Sequence, residues 1–210
     1  ELLDLIEIKG ATITIDAIGT QEKIVNKIVE KGGHYILKAK DNQKELKKDI
    51  KKYFDKQYNL YGNNEIQYCK SVEKEHGRNE IREYFLSYNV SEIKDKEKWK
   101  TVKAIVYVKV TMMQGNEVTI TDNYYIIDYQ IPIDRLAYVI RDHWNIECGL
   151  HWRLDVIMNE DHSRNRVGNS INNLSLLRKI VFNLTSLDKS FGEKVPLQRK
   201  LTRYMLDDRN

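Results

Sequence analysis

The strongest constraint on the fold is a strand–helix–strand–helix order at the start of the chain. Residues 12–17 alternate apolar and polar side chains, and residues 21–31 carry apolar side chains at helical spacing. Residues 34–40 have the composition of a second strand, and residues 42–56 form a second amphipathic pattern. Because the links are short, we expect two parallel strands joined by a right-handed crossover.

The pattern changes after residue 60. Four segments have strand composition, with turn residues between them: residues 65–75, 79–88, 101–113 and 118–128. They predict an antiparallel sheet that is inserted into the α/β core or extends it. The predicted division is a core of residues 1–60 and 131–190, a β-rich insertion of residues 61–130, and a tail of residues 191–210.

A helix carrying several ionisable groups is predicted after this insertion. It begins at Pro132 and is expected to run to about Met158. Four of its side chains recur every four residues and would line one face of an α-helix: His143, Glu147, His151 and Asp155. A later amphipathic helix is expected from about Ser170 to Ser186, with its apolar side chains facing inward.

Two acids from distant parts of the chain indicate metal-assisted chemistry on a phosphate. Asp16 ends the first strand, at the edge where open parallel sheets bind ligands. Glu147 lies on the helix with the ionisable face. Carboxylates are ligands that Mg²⁺ prefers, and two divalent cations about 3.5–4 Å apart can drive phosphoryl transfer.

Five segments resemble the transposases of H-repeat-associated insertion sequences, a branch of the DDE superfamily. They are TIDAIGTQ (14–21), KAKDNQ (38–43), HGRNEIREY (76–84), YYI (124–126) and HWNIECGLHWRLDV (143–156). The resemblance covers nearly the whole chain in order. It implies a ribonuclease-H-like α/β core with a β-rich insertion before the glutamate-bearing helix. It also implies Mg²⁺ or Mn²⁺ as cofactor, Asp16 as the second acid and Glu147 as the third.

The first acid of the family has no match in this chain. Asp4, the one aspartate before Asp16, falls on a helical segment, so the core is expected to be N-terminally truncated. With two of three metal ligands, these residues are expected to bind metal weakly and to lack strand-transfer activity alone. Ile140, His143 and Leu154 stand where related transposases often have tyrosine, arginine and lysine.

The expected partners are transposon-end and target DNA, with assembly into a homo-oligomer on that DNA. Asp16 and Glu147 are the predicted catalytic residues and metal ligands. Lys40 and Asn42 follow the second strand at the same sheet edge as Asp16. The residues predicted to contact DNA are basic or polar and lie near the acids or in the β-rich turn: Lys40, Asn42, His76, Arg78, His143, Arg164 and Arg166.

Each of these assignments has a simpler alternative. Asp16 is of a residue type common in turns and could cap the turn that follows it. Arg164 and Arg166 could pair with nearby acids of their own loop. Trp144 and Trp152 are expected to pack in the core rather than to stack on bases. A zinc site on the ionisable face is disfavoured, because residues eight apart on an α-helix are separated by about 12 Å.

Composition permits these roles without requiring them. Charged residues make up 31% of the chain and give a net charge of +4, which allows a nucleic-acid partner. The two cysteines, Cys69 and Cys148, lack metal-site spacing and indicate a reducing compartment. The sequence has no apolar run of the roughly 18 residues that a membrane span requires, so a cytoplasmic protein is expected.

Two other functions remain open at this point. One is a catalytically dead DNA-binding relic or a domesticated transposase. The other is a nuclease with the same two-metal chemistry and no strand-transfer step. Activity on insertion-sequence ends would distinguish all three.

Overall fold

The computed structural model describes residues 2–75, 78–144, 146–192 and 195–206. The chain divides into two compact units, residues 1–143 and 144–210, which are described separately. The side chains of Ile18, Glu75, Glu147 and Cys148 are not among those described.

The first unit is an α/β structure. Its elements are α1 (Leu2–Leu5), β1 (Thr12–Ile15), α2 (Glu22–Glu30), β2 (His34–Ala39), α3 (Lys44–Asp55), β3 (Ile66–Glu75), β4 (Arg78–Ser87), β5 (Ala104–Gln114), β6 (Glu117–Ile127) and α4 (Ile133–Asp142). β1 and β2 are parallel neighbours, with Thr12 opposite His34. The predicted crossover unit is therefore confirmed.

All six strands form one mixed sheet in the order β1-β2-β6-β5-β4-β3. β6 runs antiparallel to β2, and this pairing places Ile127 opposite Ile36 and Ile126 opposite Leu37. The four predicted strands after residue 60 therefore extend the sheet of the βαβ unit. The pairing is apolar on both faces, because helices cover this part of the sheet on both sides.

The alternation of side chains along the strands produces two hydrophobic cores. On one face, Leu37, Phe85 and Ile126 pack with residues of α2 and α3. On the other face, Ile36 and Val106 pack with Leu136 and other residues of α4. Burying each such side chain contributes roughly 1.5–3 kcal/mol relative to leaving it exposed.

The second unit contains two π-helical segments, Ile146–His151 and Arg153–Ile157, followed by α5 (Ser170–Leu187) and α6 (Leu197–Leu206). The prediction of one continuous α-helix from Pro132 to Met158 is wrong, because α4 ends at Asp142. π turns close i→i+5 hydrogen bonds, so side chains four residues apart no longer stack as on an α-helix.

The helix α5 has the predicted bounds to within one residue at its end, but not the predicted burial. Leu177 is 55% exposed and Leu184 is 64% exposed, whereas Thr185 is buried. Over the residues that the structure describes, no helix combines the length and apolarity that crossing a membrane would need.

Candidate functional site

Asp16 lies directly after β1, at the carboxyl end of that strand. It precedes a short 3₁₀ turn, Ala17–Gly19, and its side chain makes no capping hydrogen bond to that turn. Gly19 permits the turn, because an added Cβ would lie 2.4 Å from Cγ2 and 2.8 Å from Cβ of Ile15. Asp16 occupies the N-cap position of this turn, and the backbone of Ala17 helps to lower the pKa of its carboxylate, so the position fits the simpler role of a turn cap as well as a functional one.

The carboxylate of Asp16 is paired with Lys40, which follows β2. The ammonium nitrogen of Lys40 lies 2.9 Å from Oδ1 of Asp16, and the Asp16 side chain is 55% exposed. The hydrogen bond from Lys40 holds the pKa of Asp16 below its ordinary value. Asp16 is therefore an ionised and accessible carboxylate at this edge of the sheet.

Three further hydrogen bonds join the loop after β1 to β2 and to the loop that follows it. Thr20 Oγ1 donates to the carbonyl of Lys38 at 2.7 Å, and Asn42 Nδ2 donates to the carbonyl of Ala17 at 2.5 Å. Gln43 Nε2 donates to the carbonyl of Thr20 at 3.0 Å. The geometry of the loop that carries Asp16 thus depends on the loop that carries Lys40.

Two of these residues were not identified as site residues from the sequence. They are Thr20 and Gln43. Thr20 is fully buried, and Gln21 occupies the N-cap position of α2. The sequence could have indicated both residues, because Thr20 lies in the segment TIDAIGTQ and Gln43 in the segment KAKDNQ, which carry the family resemblance.

His143 lies on the same side of the sheet as the polar side chains of β1. Its Nδ1 atom is 3.1 Å from Oγ1 of Thr14, two residues before Asp16. His143 directly follows α4, which packs on the sheet face that contains Ile36. The structure therefore brings Asp16, Lys40, Asn42 and His143 to one region of the first unit.

Glu147 belongs to the second unit, and its side chain lies outside the described residues. Its backbone is part of the π-helical segment Ile146–His151. π turns are rare and occur frequently at functional sites. The unusual backbone therefore supports a functional role for this segment independently of the glutamate side chain.

Two tryptophans beside this segment are not buried. Trp144 is 42% exposed and Trp152 is 53% exposed, so the expectation that both pack in the core is wrong. The third tryptophan, Trp99, is 4% exposed and belongs to the core on the α3 side of the sheet.

Two of the other predicted DNA contacts, Arg78 and Arg166, form bonds within their own segments. Arg78 pairs with Glu80 at 2.5 Å in the β3–β4 hairpin, and the neighbouring His76 lies outside the described residues. Arg166 donates to the carbonyls of Ser163 and Asn165 in its own loop, and Arg164 is exposed in that loop.

The described side chains do not by themselves complete a metal site. Among them, no group of three or more histidine, cysteine, aspartate or glutamate residues is arranged to hold an ion. Asp16 has the chemistry of a metal ligand, since its oxygens are hard, ionised and accessible. A complete site would need carboxylates from outside this set.

Comparison with known proteins adds independent information. A model of the transposase DDE domain matches residues 1–184. A protein of Escherichia coli K12 called "Putative protein YbfL" is 38% identical over 99% of this chain and 55% of its own length. The "H repeat-associated putative transposase YhhI" of the same strain is 37% identical over the same shares.

A third relative, the "Putative transposase YncI" of Escherichia coli O157:H7, is 36% identical over 95% of this chain and 52% of its own length. The chain thus spans about half the length of the curated relatives it matches. The family match extends through both loops around Asp16 and through the π-helical segments, and the chain belongs to the transposase DDE domain family.

Proposed function

We propose that this chain forms part of the catalytic domain of a transposase that cleaves DNA at insertion-sequence ends and joins them to target DNA. The observation that carries the proposal is Asp16, an ionised and half-exposed carboxylate at the carboxyl end of β1. Membership of the transposase DDE domain family supports it. The sheet would then correspond to a ribonuclease-H-like core.

Asp16 and Glu147 are the proposed catalytic acids and metal ligands. Mg²⁺ or Mn²⁺, when bound, would assist attack by a water or 3′-hydroxyl and stabilise the departing oxygen. Asp16 would contribute an oxygen ligand that needs no deprotonation at neutral pH, because its pKa is lowered. The loop contacts from Thr20, Asn42 and Gln43 would keep that ligand in place.

The neighbouring basic and polar groups are proposed to bind DNA. Lys40 lies beside Asp16, where a phosphate of the cleaved strand would lie. His143 is the candidate on the α4 side. Asn42 is ranked with Lys40, since it lies at the same sheet edge and contacts Ala17, next to Asp16. We propose weaker, peripheral roles for Arg78, Arg164 and Arg166, and assembly of the enzyme as a homo-oligomer on DNA.

The resemblance assigns two of the family's three acids to these residues. Because two carboxylates bind a divalent cation less tightly than three, we propose that these 210 residues alone do not carry out strand transfer. Metal-dependent cleavage by this chain alone would contradict that.

The test uses a protein of the relatives' full length that contains this sequence. Asp16→Asn and Glu147→Gln should each abolish Mn²⁺-dependent cleavage at insertion-sequence ends, while the circular dichroism spectrum and the affinity for DNA are retained. Asp41→Asn is the matched control, since Asp41 also pairs with a lysine, Lys47, at 2.9 Å but is far more exposed. Its activity should be unchanged.

The same assay distinguishes the other functions. Cleavage without joining to target DNA indicates a nuclease. DNA binding without cleavage by the unmodified protein indicates a catalytically dead relic. Full activity in either acid variant would disprove the assignment of that acid.

A further inference from the structure

The outer half of strands β3–β6 carries an exposed apolar face. The strand register places Val72, Ile81, Thr111 and Ile120 side by side in one row across the four strands. The next row toward the hairpin tips contains Lys74, Asn79, Met113 and Val118. Val72 is 53%, Ile120 is 58% and Val118 is 62% exposed.

A row of alternating charge borders this apolar face on the side nearer the core. Its members, in strand order, are Lys70, Glu83, Lys109 and Asp122. Hydrogen bonds from tyrosines hold the two carboxylates: Tyr61 and Tyr68 donate to Glu83 at 3.1 Å, and Tyr107 donates to Asp122 at 2.7 Å. We call the three rows together the outer sheet face.

The opposite side of the same strands is different. There Glu73 pairs with Arg141, and Glu80 pairs with Arg78 and Arg82. That side is therefore occupied by ion pairs within the chain. Among the described residues of β3–β6, the exposed large apolar side chains lie on the side of the sheet that carries the outer sheet face.

The alternation of charge makes the row of Lys70, Glu83, Lys109 and Asp122 complementary to itself. A two-fold axis parallel to the strands, between β4 and β5, exchanges the two ends of each row. It brings Lys70 opposite Asp122 of a second copy and Glu83 opposite Lys109 of that copy. The apolar row is matched in the same way, with Val72 opposite Ile120.

We propose that the outer sheet face is a docking surface for a second copy of this chain. The contact is isologous, as in most homodimers. The two sheets pack face to face at about 10 Å with their strands nearly aligned. This inference does not depend on the catalytic acids or on DNA.

The expected association is weak. With strands about 4.8 Å apart and residues of one face about 6.7 Å apart along a strand, three rows across four strands cover roughly 400 Å² per copy. A total near 800 Å² falls at the low end of interfaces that form and dissociate readily. Dimers are therefore expected at high micromolar protein concentrations.

Sedimentation equilibrium of the 210-residue chain measures this directly. Self-association should appear as the concentration approaches 1 mM, and Ile120→Lys should raise the dissociation constant at least about tenfold, equivalent to about 1.4 kcal/mol. Val167→Lys is the control, because Val167 is 84% exposed but lies outside the outer sheet face. It should associate like the unmodified chain.

A mixing experiment tests the proposed pairing of the two ends. Lys70 and Asp122 lie on the outermost strands of the row, about 14 Å apart within one copy at a strand spacing of 4.8 Å. Lys70→Glu and Asp122→Lys should each weaken self-association, since each places like charges opposite one another. An equimolar mixture of the two variants restores both opposite-charge pairs and should associate as tightly as the unmodified chain.

Three results would overturn the proposal. One is a chain that stays monomeric up to 1 mM, which would leave this face to another occupant such as a further segment of a longer protein. Another is association that Ile120→Lys does not weaken. The third is a mixture that associates no better than either charge variant alone.

Discussion

Arg141 holds Glu73 through two parallel hydrogen bonds, from Nε to Oε1 and from Nη2 to Oε2, each 2.8 Å long. Arg141 is in the last turn of α4, and Glu73 is on the edge strand β3. The pair therefore fastens the helix that leads to the π-helical segments to the far edge of the sheet.

This ion pair should make stability depend on pH below neutrality. The hydrogen bond from Arg141 lowers the pKa of Glu73 from its ordinary value of 4.5, so its contribution is complete above that pH. It is lost as the pH falls through the lowered pKa, because the protonated acid no longer pairs. A double-mutant cycle with Glu73→Gln and Arg141→Met should give a coupling of about 0.5–1 kcal/mol at pH 7.

The same cycle repeated at decreasing pH below 4.5 should show that coupling decline, because Glu73 becomes protonated. The control cycle, Lys51→Met with Asp55→Asn, removes an exposed pair at 3.4 Å and should give almost no coupling at any pH. A Glu73–Arg141 coupling that does not decline as the pH is lowered would contradict the assignment of the pair as the cause.

Gly19→Ala should destabilise the turn that carries Asp16. The new Cβ cannot fit without moving Ile15, whose Cγ2 and Cβ atoms lie 2.4 and 2.8 Å from its position. Overpacking of this kind costs about 1–3 kcal/mol, which chemical denaturation can measure. Gly149→Ala is the control, because an added Cβ there meets nothing within 4 Å. Equal stability of the two variants would disprove the steric argument.

Thr20→Val should cost about 1–2 kcal/mol, since it removes a buried hydroxyl donor and leaves the carbonyl of Lys38 without that bond. The shape of the side chain is nearly unchanged, so packing is preserved. Thr119→Val, at an exposed position of β6, should change the free energy of unfolding by less than about 0.5 kcal/mol. A neutral Thr20 variant would show that the two loops are held together by other contacts.

Lys40→Met should weaken binding to a short mixed-sequence DNA duplex. The slope of log affinity against log salt concentration should become shallower by about 0.9, because one phosphate contact is lost. Lys27→Met is the matched control. Lys27 is also paired with an aspartate, Asp4. It lies in the last turn of α2, whereas Asp16 lies before the first turn of that helix. Equal salt dependence in both variants would argue against a DNA contact at Lys40.

The local elements were predictable from the sequence because they have a clear periodicity. Apolar side chains alternate along β1 and β2 and recur at helical spacing along α3, as their burial requires. Parallel strands bring their carboxyl ends to one edge of the sheet. Asp16 and Lys40 were therefore expected at one edge, where they form an ion pair. The pairing of β6 with β2 was left open, because strand order depends on contacts between distant segments.

Other features have no local signal. The hydroxyl of Thr20 bonds a carbonyl 18 residues later, and no sequence pattern records such a contact. The π turns replace an expected α-helix, since the apolar and ionisable spacing around Glu147 fits either backbone. The exposure of Trp144 and Trp152 follows from tertiary position rather than from residue type.

The two π-helical segments have a consequence for how the residues that follow them are compared among relatives. A π turn contains about one more residue than an α turn, and one residue corresponds to about 100° of rotation on an α-helix. Converting either turn to α-helix would therefore rotate everything beyond it by about that angle. Two relatives with the same residue after these segments in an ungapped alignment can present it in different directions relative to the start of the helix if only one of them has this widened backbone.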